Sequence, residues 1–441
     1  MDEGKAESEA VIEADAPKKG IINRIRGEFD FVKGNILLLY VGSFIADFTG
    51  EMAFTYYSLY VTALGGTVAT VGLISSVQQV ITAFASFPGG YIADKHGRKK
   101  ILWSMTMFMA FATMFYVFAP NWQIILLGAA LRGLASIYNP AFYALTMDSI
   151  PPEKRGTGYS VIQLINSAST TPSPLLAGLL YVNFGLITGT RIAFAFAALG
   201  LFVAGLLRMR INETVDDAEP LNGRELVRSL SGAKVYVEGL NVWRQVPRTV
   251  LVVFLIQVLF MLPNSMFNVS FVFFIIDELK IAPVKLAFFI SVLSVSIVIL
   301  AIPCGKLIDK YGKRKALLAC WVLIALATPF LIWGDFIRLM LVMPIIALVN
   351  IAFGSAISSL YADLVPIEHR GKISGSKNFF VLIVASVGSI LGGYIYDSVS
   401  HYLSIYLMSF STLPLFLMTY AFIKDPERHE INGLNEAESS L

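Results

Sequence analysis

Asp47 and Glu51 stand four residues apart inside the first apolar run of the chain, so on a helix both carboxylates project from one face. A carboxylate at the centre of a bilayer costs about 2.5–3.5 kcal/mol on insertion scales, so such groups face a cavity or a partner. The chemistry open to the pair is uptake of a proton or a cation. Arg132 lies in the fourth apolar run, eleven residues from its end near Asn121, and Glu51 lies eleven residues from the end of the first run near Thr62. At 1.5 Å per residue both sit about 16 Å deep, which makes a Glu51–Arg132 pair geometrically reasonable. If Arg132 balances one carboxylate, the other is in surplus and free to exchange a proton. The bland reading is that Asp47 and Arg132 only hold helices together, since intramembrane ion pairs also serve structure.

Weaker candidates for a ligand cavity are the amides Gln257, Asn264 and Asn268 in the seventh run, Asn350 in the tenth, and Gln163 and Asn166 in the fifth. Such amides more often bond helix to helix, contributing on the order of 0.6 kcal/mol in membranes. Tyr56, Tyr57, Tyr138 and Tyr143 could stack on an aromatic or cationic compound, although ordinary packing accounts for most aromatic residues.

The elements that must position these groups follow from composition. Of 441 residues, 56% are hydrophobic and only 15% charged, a balance that points to a bilayer. Twelve apolar runs are long enough to cross about 30 Å of hydrocarbon. They fall near 36–63, 69–93, 101–119, 121–147, 158–184, 190–209, 249–276, 284–308, 315–334, 337–362, 374–397 and 400–423. Long continuous runs favour α-helices over a closed barrel, which would need short alternating segments. The expected fold is all-α, with twelve transmembrane helices.

Charge sets the expected orientation and excludes other classes. With both termini and the even-numbered loops on the cytoplasmic side, 29 Lys and Arg fall there and four, Arg191, Lys280, Lys285 and Arg338, fall opposite. A net charge of +3, carried in loops, reports topology rather than a nucleic-acid partner. No phosphate-cradling Gly-x-x-x-x-Gly-Lys-Ser/Thr loop is present to drive an ATP pump. The four histidines, His96, His369, His401 and His429, read as loop or tail residues, so no intramembrane histidine metal site and no cofactor is expected. Cys304 and Cys320 read as packing residues. Residues 1–20 read as a disordered tail, 21–35 as an interfacial segment, 211–248 as a linker with an amphipathic surface helix, and 425–441 as a cytoplasmic tail. No cleavable signal peptide is apparent.

One spacing organises the whole chain. Asp94-Lys95-x-Gly97-Arg98-Lys99-Lys100 returns 215 residues later as Asp309-Lys310-x-Gly312-Lys313-Arg314-Lys315. The same shift maps Gly90 onto Gly305, Asp148 with Arg155 onto Asp363 with Arg370, and Gly178 and Tyr181 onto Gly393 and Tyr396. These are two copies of one six-helix unit, over 36–210 and 249–424, as in secondary transporters built from parallel repeats. The mid-membrane charges are not duplicated, since 47, 51 and 132 map to Leu262, Met266 and Ala347.

Gly90 to Lys100 resembles the signature loop of the major facilitator superfamily, and Gly305 to Lys315 repeats it, in a twelve-helix chain of the prokaryotic type. That resemblance implies two pseudo-symmetric bundles whose first, fourth, seventh and tenth helices line a central cavity. It also implies a charge network that gates the cytoplasmic side, carried here by Asp94, Arg98 and Asp148 and, in the second half, by Asp309, Lys313 and Asp363. Physically, Gly90 permits close helix approach, and Asp94 can cap a neighbouring helix N-terminus. Lys313 in place of Arg loses a bidentate bridge. Ser173-Pro174-Leu175-Leu176-Ala177-Gly178 looks like a degenerate form of the family's antiporter motif.

The expected function is transport of a small molecule in the plasma membrane by alternating access, with protons as the coupling ion and no enzymatic chemistry. Export of an amphipathic or drug-like compound is favoured; proton-coupled uptake of a sugar, organic acid or other metabolite is the alternative, and a non-transporting sensor a minor one. A monomer suffices, because the cavity forms within one chain.

Overall fold

A computed structural model describes residues 30–151, 154–215, 243, 246–365 and 367–423. The expected N-terminal tail, most of the linker helix and the C-terminal tail lie outside these residues. So do the side chains of Asp94, Arg155, Gln163 and Arg370.

The first apolar run forms α1 (Asn35–Phe54) and α2 (Tyr57–Ala63), broken at Thr55 and Tyr56. The second and third form α3 (Val68–His96) and α4 (Arg98–Val117). The fourth is again broken, into α5 (Trp122–Ala135) and α6 (Tyr138–Ser149). Then follow α7 (Arg155–Thr170) and α8 (Ser173–Met209). The second half runs α9 (Arg248–Asp277), α10 (Leu286–Tyr311), α11 (Lys313–Ile332), α12 (Phe336–Leu364), α13 (Ile367–Ser398) and α14 (Leu403–Phe422). No strand occurs among the described residues.

Among the described residues eleven segments are long and apolar enough to span a membrane, against the twelve runs read from the sequence. The difference lies in α7 and α8, which count as one segment of 45 residues over Ile165–Met209. That length would reach about 68 Å as a straight helix, twice a hydrocarbon core. Gly185 breaks α8 with φ 76°, a left-handed conformation that favours glycine. The chain therefore crosses twice here, and six crossings per half are restored.

Helix ends are fixed by local chemistry. Thr67 makes a reciprocal capping box with Thr70 at the start of α3, and Asn121 and Asp335 cap α5 and α12 through the amides of Ile124 and Arg338. At the ends bearing Asn35, Arg248 and the signature loops, here the terminal end, Gly97 and Gly312 join α3 to α4 and α10 to α11 with φ 91° and 94°. Both duplicated glycines are thus demanded by backbone geometry.

The cores differ between the two ends. At the far end one buried cluster draws on both halves, packing Met52, Tyr60 and Phe194 with Phe273, Phe289 and Leu339. Ring contacts of Phe84 and Phe87 with Phe379 carry the seam between α3 and α13 toward the terminal end. There each half keeps its own core, around Leu39, Leu102 and Leu145 in the first and Val250, Trp321 and Leu360 in the second. The halves are joined at the far end and separately packed at the terminal end.

Candidate functional site

α1 places its carboxylates where that change in packing occurs. Asp47 and Glu51 are both partly buried, and the next residues, Met52 and Ala53, enter the shared far-end core. At 100° per residue the pair shares a helix face with the buried Tyr40, and both acids remain partly exposed.

Arg132 does not meet Glu51 as the depth argument expects. Its Nη1 donates to Thr113 Oγ1 at 2.6 Å, and its guanidinium lies 5.1 Å from the Phe54 ring centroid and 5.9 Å from that of Tyr116. The arginine reaches α1 one turn beyond Glu51, where the Phe54 ring takes it. Its Nε is buried without a hydrogen-bond partner.

A second arginine, which the sequence reading counted among topology charges, belongs to the same group. Arg208 in the last turn of α8 is 4% exposed. Its Nη1 donates to Thr106 Oγ1 at 2.5 Å and its guanidinium lies over Tyr138 and Phe142 at 5.4 and 5.3 Å. Thr106 and Thr113, two turns apart on α4, thus hold two arginines alike, one from α8 and one from α5. The only sequence signal was an arginine just inside an apolar run, which a topology charge also gives.

Between the halves lies a cavity of about 350 Å³, lined by Tyr57, Ser58, Gln79, Asn264, Asn268 and Ser389 among others. Gln79 Nε2 donates to Ser389 Oγ across the interface at 3.2 Å, while its Oε1 is buried without a partner. Of the amides singled out from sequence, Asn264 and Asn268 line this cavity, with Asn268 Nδ2 also bonded to the Asn264 carbonyl at 2.8 Å. Gln257, Asn166 and Asn350 do not line it; Gln257 Oε1 is buried and partnerless, Asn166 is half-buried and Asn350 exposed. Tyr56 stacks on Tyr181, Tyr138 lies under Arg208, and Tyr143 is exposed. Gln79 was missed because one glutamine in an apolar run carries no spacing signal.

The duplicated loops form matching ion pairs. Arg98 bridges to Asp148 and Lys313 to Asp363, joining the start of α4 to the end of α6 and the start of α11 to the end of α12, each within its own half. Glu213, unremarked in the sequence, accepts from the amides of Arg98 and Lys99 at 3.1 and 2.9 Å and so caps α4. Asp309 is exposed at the end of α10. The close helix approach expected at Gly90 belongs to its neighbour: a Cβ on Gly89 would lie 2.7 Å from the Ile137 carbonyl, whereas one on Gly90 would make an ordinary 3.7 Å contact with Pro140. Gly305 meets nothing within 4 Å. His96, read as a loop residue, is buried in the last turn of α3, and Cys304 and Cys320 are buried and free.

The family model described as Major Facilitator Superfamily matches residues 39–256 and again 253–441, one match for each half. The chain belongs to the Major Facilitator Superfamily. It is a multi-pass membrane transport protein of that family, not an enzyme. Among its relatives, a multi-drug resistance efflux pump PmrA homolog of Lactococcus lactis is 25% identical, over 82% of this chain and 89% of that one. The multidrug resistance protein MdtG of Klebsiella pneumoniae is 26% identical over 91% and 98% of the two chains. Two solved transporters share the fold: the nucleoside transporter NupG, with a TM-score of 0.69 at 14% identity over 88% of this chain and 99% of that one, and the human organic anion transporter MFSD10, with 0.65 at 16% over 87% and 98%.

Proposed function

We propose that this protein exports amphipathic, drug-like compounds in exchange for protons by alternating access. The observation that carries the reading is the Asp47 and Glu51 pair, half-buried on one helix face at the edge of the shared core and without an ion pair to Arg132. A partly open carboxylate pair can load and release protons, whereas a fully paired one cannot. Relatives named as multidrug efflux pumps, with high coverage of both chains, support the cargo class and the direction.

The lysine and arginine bias supports cytoplasmic termini in the plasma membrane, so the conformation with a joined far end faces inward. The 350 Å³ cavity, lined by amides and hydroxyls from both halves, is the substrate pocket. Arg208 and Arg132 tie α8 and α5 to α4 through Thr106 and Thr113, and the Arg98–Asp148 and Lys313–Asp363 bridges stiffen each half for rigid-body rocking. One chain holds the complete pathway.

The test is transport of a fluorescent amphipathic dye into proteoliposomes with an acidic lumen and the terminal end outside. Dye uptake that needs the gradient and collapses with a protonophore is expected. Uptake that ignores the gradient, or that runs only when the gradient is reversed, contradicts proton-driven export.

A further inference from the structure

Two seams close the far end, and the 215-residue repeat relates them. At the first, Gly72 of α3 packs against Ser389 and Gly393 of α13, and a Cβ on Gly393 would lie 2.6 Å from the Val68 carbonyl. At the second, Gly178 of α8 faces Ala287 of α10, and a Cβ on Gly178 would lie 3.1 Å from the Ala287 Cβ. Gly178 and Gly393 occupy equivalent positions in the two halves, and so do Gly72 and Ala287. Both seams are one duplicated contact between small residues.

The locks beside those contacts differ in chemistry. At the second seam the Tyr56 hydroxyl donates to the Val284 carbonyl at 3.4 Å, a long neutral bond. At the first, Asp397 Oδ2 accepts from the Ala69 amide at 2.7 Å. Ala69 and Val284 are equivalent positions, so each half is gripped at the same place, once by a phenol and once by a carboxylate. The counterpart of Asp397 in the first half is Val182, so the charged lock exists only once.

Position gives Asp397 its strength. Ala69 lies in the first turn of α3, where amides lack intrahelical acceptors and the helix dipole is positive. Thr67 already takes the Thr70 amide, so Asp397 supplies a second cap that α3 cannot provide for itself. Its neighbours are held elsewhere: Tyr396 donates to Asp277 at 3.0 Å, and Glu278 is bonded by His401 at 2.5 Å and Tyr402 at 2.9 Å. Because Asp397 and Ala69 belong to different halves, their bond survives only while the far end stays closed.

We propose that Asp397 is the latch of the far gate, a positioning residue that holds the halves together by capping α3. The proposal rests on the alternating-access reading and adds to it the group that sets the closed population. Losing the charge shifts the protein toward the far-open state.

The experiment uses the full-length protein in lipid vesicles with Cys304 and Cys320 replaced by Ser. Ser75→Cys, in the cavity wall, is read with a membrane-impermeant maleimide added from the far side in one arm and from the terminal side in the other. Asp397→Asn and Asp397→Ala are expected to raise labelling from the far side about fivefold, the factor one charge–dipole cap is worth. Labelling from the terminal side does not rise, and Asp397→Glu restores the native pattern. A merely structural role would raise labelling from both sides together and overturns the proposal. Gly72→Trp, which wedges the same seam, is the control. If it opens the far side while the Asp397 variants do not, the latch is refuted alone; if no variant changes labelling from either side, alternating access fails with it.

Discussion

Arg132 donates to Thr113 at 2.6 Å beneath Phe54 and Tyr116, leaving Glu51 without the cation that equal depth had suggested for it. Asp47 and Glu51 stay half-buried on α1, while Arg208 is tied to Thr106 on α4 as Arg132 is to Thr113.

Thr113→Val removes the hydroxyl that accepts from Arg132 while keeping the volume. A buried guanidinium stripped of its acceptor costs about 1–3 kcal/mol. A lower melting temperature is expected, measured on detergent-purified protein, and Thr113→Ser should recover most of it. Thr106→Val should act in the same way through Arg208.

Arg208→Gln leaves Thr106 without its donor, and Thr106→Val leaves Arg208 without its acceptor. The double variant should be less destabilised than the two losses added, with a coupling of about 0.5–3 kcal/mol. Combining Arg208→Gln with Glu278→Gln, at the opposite end of the molecule, should be additive. Thermal unfolding of the single and double variants reads both cycles.

The paired bridges at the terminal end make a contrasting case. Side chains of Arg98 and Asp148 are 17% and 45% exposed and those of Lys313 and Asp363 21% and 30%, so each pair is worth roughly 0–1 kcal/mol. Asp148→Asn and Asp363→Asn should leave the melting temperature nearly unchanged while transport falls severalfold. Lys313→Arg should retain transport. Equal loss of stability and transport would make the bridges structural only.

Glu278, beyond the end of α9, is held below the usual glutamate range by its hydrogen bonds from His401 and Tyr402. A depressed carboxyl contributes stability that is present above its unfolded value near 4.5 and lost as pH falls through the folded value below it. Glu278→Gln should therefore lower the melting temperature at pH 6, by a margin that shrinks as the pH falls below 4.5. Melting curves across that range check the sign.

The twelve crossings and the duplicated loops were legible because length, hydropathy and a constant 215-residue shift are global signals. Gly97 and Gly312 were legible only as positions in the duplicated motif, and the left-handed backbone that each adopts emerges from the fold. The breaks at Thr55–Tyr56 and Ser136–Ile137 were not, because both occur inside apolar runs with no proline or glycine at the break. Arg208 was hidden by its place at the end of a span, where a topology charge looks the same. The direction taken by Arg132 depends on Thr113 and two rings brought together only by folding, and no spacing encodes that.

The account stands or falls on proton exchange at α1. The direct measurement is dye transport driven by a pH gradient in proteoliposomes containing the native protein, Asp47→Asn or Glu51→Gln, with gradient-independent dye exchange measured in parallel. At least one neutral variant should lose gradient-driven accumulation by about tenfold or more while still exchanging dye, the pattern of a transporter uncoupled from its protons. Accumulation by both variants at the native rate and with the native dependence on the gradient would contradict the account.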